Sequence, residues 1–191
     1  MPTPAPATVA IVNEIADLLS KEGLFYRLSE FEIARINNLI SSLDKINKIY
    51  AHSYRGAIMS FVGDEQKSLA EHNIAVSMAP TDILVLSNFG GSLMKFRRYA
   101  EAQEQLMKAY ELQKDDASSL TSLILADYYA DDLTSLRKHL ADFKRLTGEH
   151  HEAEDWLEED AHDREMLSEY RKESENGPTI SLEDIEKELG L

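Results

Sequence analysis

The chain has 191 residues, no cysteine and a formal net charge of −15. That length holds one domain with a good-sized core plus a tail, and the missing thiols exclude disulfides, thiolate zinc sites and a cysteine nucleophile. The charge is uneven: residues 1–148 carry 19 Asp and Glu against 16 Lys and Arg, whereas residues 149–191 carry 16 against 4.

The opening MPTPAPAT reads as a short flexible arm. It lacks the basic and long apolar regions of a secretory leader, and no run reaches the roughly 18 apolar residues of a membrane span. A cytoplasmic location and no membrane partner are the expectation. A first helix is predicted at about Thr8–Lys21, stopping at Glu22-Gly23. The second opens on Ser29-Glu30-Phe31-Glu32, a capping box with Ser29 as N-cap and Glu32 reaching back. Its apolar residues Phe31, Ile33, Ile36, Leu39, Ile40, Leu43 and Ile46 are spaced for one wide face. Further helices are expected at about Lys48–Phe61, Glu65–Met78 after an Asp64 cap, Thr81 or Asp82 to Met94, Tyr99–Gln113, Ser118–Tyr129 and Leu133–Leu146. No stretch alternates like a strand. The fold class expected is all-α, built from antiparallel helix pairs.

Helices of this length with short turns invite a search for repeats. Gly56 and Gly90 are 34 apart, as are Ala75 and Ala109, with each glycine mid-helix in the first helix of a pair. A mid-helix glycine costs about 1 kcal/mol relative to alanine, so two at one period point to close helix packing. Pro80 cannot continue a helix and separates the first pair from the second. Residues 83–116, with Gly90, Tyr99, Ala102 and Ala109, resemble a tetratricopeptide repeat. Residues 49–82 keep Gly56, Ala75 and Pro80, and 117–148 are a degenerate third unit with Ile124 at the glycine position. The rival reading is an irregular helical bundle.

The resemblance implies an α-solenoid that binds rather than reacts, with first helices lining a concave face. That face would show Ser53, Tyr54, Ala57, Ser87, Asn88, Gly91, Thr121, Ser122 and Tyr128. Family members that hold a peptide carboxylate use Lys and Asn there, and this chain offers Asn88 and Lys95. The organisation expected is an arm and helical pair over 1–47, repeats over 48–148, an acidic helix or linker over 149–176 and a docking segment over 177–191.

In the acidic stretch Trp156 reads as the anchor of a capping helix. After Asn176-Gly177-Pro178, Ser181 caps a short helix in which Leu182, Ile185 and Leu189 share one face. Eight residues are too few to hold a helix alone, so the segment needs a surface, its own body's or a partner's. The ending with Gly177, Ile180, Ser181, Leu182, Glu183, Ile185, Glu188 and Leu189 is similar to tails of RelB- and Phd-type antitoxins. That similarity implies a tail binding a basic toxin of the RelE or ParE kind through Ile180, Leu182, Glu183, Ile185, Glu186 and Leu189. Such a tail repels phosphate, so nucleic acid is not expected on it, and homo-oligomers are possible partners. The function expected is a non-enzymatic neutraliser of a basic toxin, with an adaptor or chaperone using the concave groove as the alternative. No catalytic constellation is found. His151, Asp155 and His162 can share a helix face, but composition alone explains them, so neither a metal nor a cofactor is expected.

Overall fold

The computed structural model describes residues 5–19 and 28–161. The chain divides into two compact units, residues 1–149 and 150–191. The first unit contains α1 (Pro6–Leu19), α2 (Glu30–Leu43), α3 (Lys48–Val62), α4 (Glu65–Met78), α5 (Ile83–Lys95), α6 (Tyr99–Leu112), α7 (Ala117–Tyr129) and α8 (Leu133–Thr147). In the second unit residues 153–161 are helical, and no strand occurs among the described residues. The fold is an all-α solenoid of tetratricopeptide type: α3 pairs with α4, α5 with α6 and α7 with α8, and the first helices α3, α5 and α7 pack in sequence.

Short-range chemistry sets the helix ends. The Ser29–Glu32 capping box forms, with the Ser29 amide donating to Glu32 Oε2 at 2.9 Å. Asn47, Asp64, Asp82, Asp116 and Asp132 each accept a backbone N–H in the first turn of α3, α4, α5, α7 and α8, each contact stabilising by about 1 kcal/mol. α6 begins at Arg98 without such a cap. Arg98 bonds Glu101 at 2.6 Å and Glu65 at 3.0 Å instead.

The turn inside each pair repeats at a spacing of 34. Gly63, Arg97 and Asp131 all adopt left-handed backbone, with φ of 85°, 59° and 58°. The next residue then donates its N–H to the carbonyl five residues back: Asp64 to Met59, Arg98 to Leu93 and Asp132 to Asp127, each at 3.0 Å. This is the Schellman closure of a helix C-terminus. It is present in all three units, although only the first has glycine at the left-handed position.

The glycines meet what the period predicts. A Cβ on Gly56 would lie 2.6 Å from the His72 ring, and one on Gly90 would lie 2.5 Å from the Leu106 side chain. His72 and Leu106 are themselves 34 apart. The equivalents in the third unit, Ile124 and Leu140, are both buried.

Ile15, Leu18, Ile36, Ile40, Leu43, Ala51, Tyr54 and Ile58 form one core cluster joining α1, α2 and α3. The α2 face is narrower than its sequence pattern. Ile33 and Leu39 pack against the cluster, but Phe31 is 74% exposed and Ile46 51%. Phe31 sits in the first turn and Ile46 beyond the helix end, where the pattern of period 3.6 no longer aims side chains at the core.

Candidate functional site

Side chains of α3 and α5 bond each other across the face formed by α3, α5 and α7. Asn88 on α5 donates from Nδ2 to Ser53 Oγ on α3 at 3.0 Å. Tyr50 on α3 donates to Oδ2 of Asp82, the α5 cap, at 3.0 Å. Burial first, and the Asp82 charge second, push the Tyr50 phenol up to about 12. Lys95, at the end of α5, places Nζ 3.8 Å from the centroid of the Phe61 ring on α3. Burial holds its ammonium below the usual lysine value. Phe61 and Lys95 are 34 apart, so this cation–π pair stacks successive repeats.

Among the residues expected in the groove, Asn88, Lys95 and Tyr128 are half-exposed. Tyr54 corrects the expectation. Its ring is 2% exposed in the core cluster with residues of α1 and α2, and Leu84 packs there too. Burial pushes the Tyr54 phenol up to about 12, and Asn88 offsets part of that rise. Its hydroxyl makes no hydrogen bond of ordinary geometry among the described residues. Ser53 and Ala57 are buried as well, so the α3 end of the face is closed. The α5 and α7 part is open: Ser87, Gly91, Thr121 and Ser122 are half-exposed. A Cβ on Gly91 would meet nothing within 4 Å.

Aromatic rings border this open part. Tyr99 stacks on Tyr129 with centroids 5.2 Å apart, and Tyr129 meets Tyr128 edge-on at 5.4 Å. Behind them lies a polar network that the sequence reading did not include. Asp127 and His139 are wholly buried, with His139 Nδ1 donating to Asp127 Oδ2 at 2.5 Å. Gln103 donates from Nε2 to Asp127 at 2.7 Å and to Asp132 at 2.9 Å. One interaction set thereby ties α6, α7 and α8 together. The sequence signal was there: Asp127 and His139 flank the turn, and Asp132 follows Arg98 by 34. Buried His72 pairs through Nε2 with Ser92 Oγ at 2.7 Å and stacks on Phe89 at 5.0 Å. Burial drives it down to about 4.

In the second unit, His150 pairs with Asp155 at 2.9 Å, and His151 Nδ1 accepts from the Ala153 amide at 3.1 Å. No group of three or more metal-ligating side chains lies together among the described residues, and His162 falls outside them. The tail residues Ile180, Leu182, Glu183, Ile185, Glu186 and Leu189 also lie outside the described residues.

No family model matches the chain, and no curated protein does. Solved structures do. MamA from residue 41 to its end, from Desulfovibrio magneticus RS-1, superposes with a TM-score of 0.58 at 14% identity, over 91% of this chain and 96% of that one. The MamA RS-1 ArsTM double mutant gives 0.51 at 14% identity, over 75% and 96%. The likeness establishes the helical-repeat fold; the antitoxin resemblance finds no support in these comparisons. No helix among the described residues is long and apolar enough to cross a membrane.

Proposed function

We propose that the chain is a non-enzymatic adaptor that holds a segment of a partner protein on the open α5–α7 face. The observation that carries this reading is Gly91. A mid-helix glycine costs about 1 kcal/mol relative to alanine. Gly90 is explained, because the Leu106 side chain occupies the space a Cβ would need. Gly91 has no such neighbour, and it sits between Asn88 and Lys95 on the half-exposed face. A glycine that leaves backbone open toward solvent suits close approach of a ligand chain.

The partner segment is internal rather than a free C-terminus. A carboxylate clamp aims its Lys and Asn at the ligand, and here Asn88 Nδ2 bonds Ser53 while Lys95 lies over the Phe61 ring. Small residues floor the face and Tyr128 walls it, which suits an apolar or aromatic side chain entering between helices.

The test is selection of binders to the full chain from a random peptide library displayed on phage, followed by titration of the selected peptide. Gly91→Ala is expected to raise the melting temperature, since it adds helix propensity without a clash, while weakening the peptide about tenfold. Ser122→Arg and Tyr128→Ala are expected to weaken it without changing helicity. A selected peptide that Gly91→Ala and Ser122→Arg both bind unchanged would refute the proposal, as would a library yielding no groove-dependent binder.

A further inference from the structure

Two imidazoles of the first unit, His72 and His139, are wholly buried. His139 sets Nδ1 against the Asp127 carboxylate, so a proton there meets a negative charge. His72 has no such partner. Its Nε2 pairs with Ser92 Oγ at 2.7 Å, its ring stacks on Phe89 at 5.0 Å, and its Nδ1 has no hydrogen-bond partner among the described residues. The same ring fills the space over Gly56. One side chain of α4 thereby fixes α5 against α3, through two residues that flank Gly90-Gly91.

The neutral ring fits this seat, with one nitrogen bonded to Ser92 and the other a bare lone pair. The charged ring does not: it adds an N–H with no acceptor and a buried charge with no counter-ion. α4 packs on α3 and α5, and the charged groups there are engaged elsewhere. On α3, Tyr50 bonds Asp82, His52 pairs with Glu71 at 2.6 Å and Arg55 with Asp44 at 3.1 Å. Lys48 is exposed and Tyr54 lies in the α1–α2 cluster. On α4, Glu65 bonds Arg98 and Lys67 bonds Asp64, and on α5 Lys95 lies over Phe61. Burial, and no neighbouring charge, holds the His72 imidazole down at about 4. We propose that His72 is an acid-sensitive latch, whose protonation frees α4 from α5 and opens the solenoid locally at the junction of its first two repeats. α5 also floors the face assigned to a partner, so acid loosens that face too. This consequence rests on the adaptor reading; the latch itself does not.

Amide hydrogen exchange of the full chain, with no partner present, tests the latch when urea unfolding is run at the same pH values. The opened ring binds its proton more tightly than the seated one, so opening is favoured as pH falls. Amides of α4 and α5 are expected to open with a constant larger than that of global unfolding. That constant should rise at least about tenfold from about pH 6.5 to about pH 4.5. In His72→Gln the rise should vanish. Ser92→Ala should enlarge the opening at every pH and keep the rise. Glu71→Gln, which alters the His52 pair and leaves His72 alone, should also keep it. Opening no larger than global unfolding overturns the latch, because the ring then charges only when the whole chain unfolds. Loss of the rise in Glu71→Gln, or its persistence in His72→Gln, overturns it equally and assigns the acid response to the His52–Glu71 pair.

Discussion

Gly56→Ala is the perturbation that most directly probes how the pairs are packed. In an exposed helix this change stabilises by about 1 kcal/mol. Here the new methyl group would lie 2.6 Å from the His72 ring. That ring is held on three sides: its Nε2 pairs with Ser92 at 2.7 Å, one face stacks on Phe89 at 5.0 Å, and the side chain is wholly buried. Overpacking a core costs about 1–3 kcal/mol, and a shift that breaks the Ser92 bond adds about 1–3 kcal/mol for a buried polar group left unpaired. The cost outweighs the gain, and a net loss of about 1–3 kcal/mol is expected, read by urea denaturation with the slope unchanged. The decisive control is the double-mutant cycle. In a His72→Ala background the ring is gone, so Gly56→Ala should reverse sign and stabilise by up to about 1 kcal/mol. Gly56→Ala stabilising the wild-type chain, or the same effect in both backgrounds, would refute the packing argument.

Gly90→Ala is expected to cost less than Gly56→Ala, because Leu106 offers a flexible side chain with rotamers to yield where His72 offers a pinned ring; paired thermal melts rank them. Arg97→Gly should stabilise by roughly 1 kcal/mol in the same assay, since Arg97 is exposed and holds a left-handed φ of 59° that strains any L side chain. Asp127→Ala should cost about 1–3 kcal/mol by taking the buried acceptor from His139 and one of the two acceptors from Gln103, and failure of the variant to unfold earlier in urea would contradict the network. Acid sensitivity follows from His72. Its folded value near 4 lies below the ordinary 6.5, so the unfolded chain binds the proton more tightly, and stability falls as pH drops from about 6.5 to 4. The span is worth about 3 kcal/mol from this residue, and a His72→Gln variant should show a correspondingly shallower loss in stability measured against pH.

The parts of the fold legible in the sequence are those fixed within a few residues. Ser29 and Glu32 announce their capping box because both partners lie in one helical turn, and Asp64 and Asp82 do the same for α4 and α5. Gly56 and Gly90 announce the period because close packing tolerates few other residues. The α2 boundary effects at Phe31 and Ile46, and the burial of Tyr54, were not legible. Whether a groove-position tyrosine faces solvent depends on what lies over it, and here the α1–α2 cluster and Leu84 do. The turns at Arg97 and Asp131 were hidden for a different reason: neither residue is the glycine that normally marks left-handed backbone, and only the period, counted from Gly63, points to them.

The same counting locates the candidate site. Ala57, Gly91 and Leu125 are equivalent positions in three successive units, yet their surroundings differ. Ala57 is 5% exposed, so the α3 end of the face has no room for a ligand. Leu125 is half-exposed. Gly91 lies between them with empty space above it, flanked by the Asn88 and Lys95 side chains already tied to α3. Packing alone would favour alanine at that position, because nothing hinders a methyl group and helix propensity rewards it. The departure from the repeat's own logic at Gly91, beside a Gly90 that obeys it, is the reason we propose the binding face over α5 and α7 rather than along the whole row of first helices.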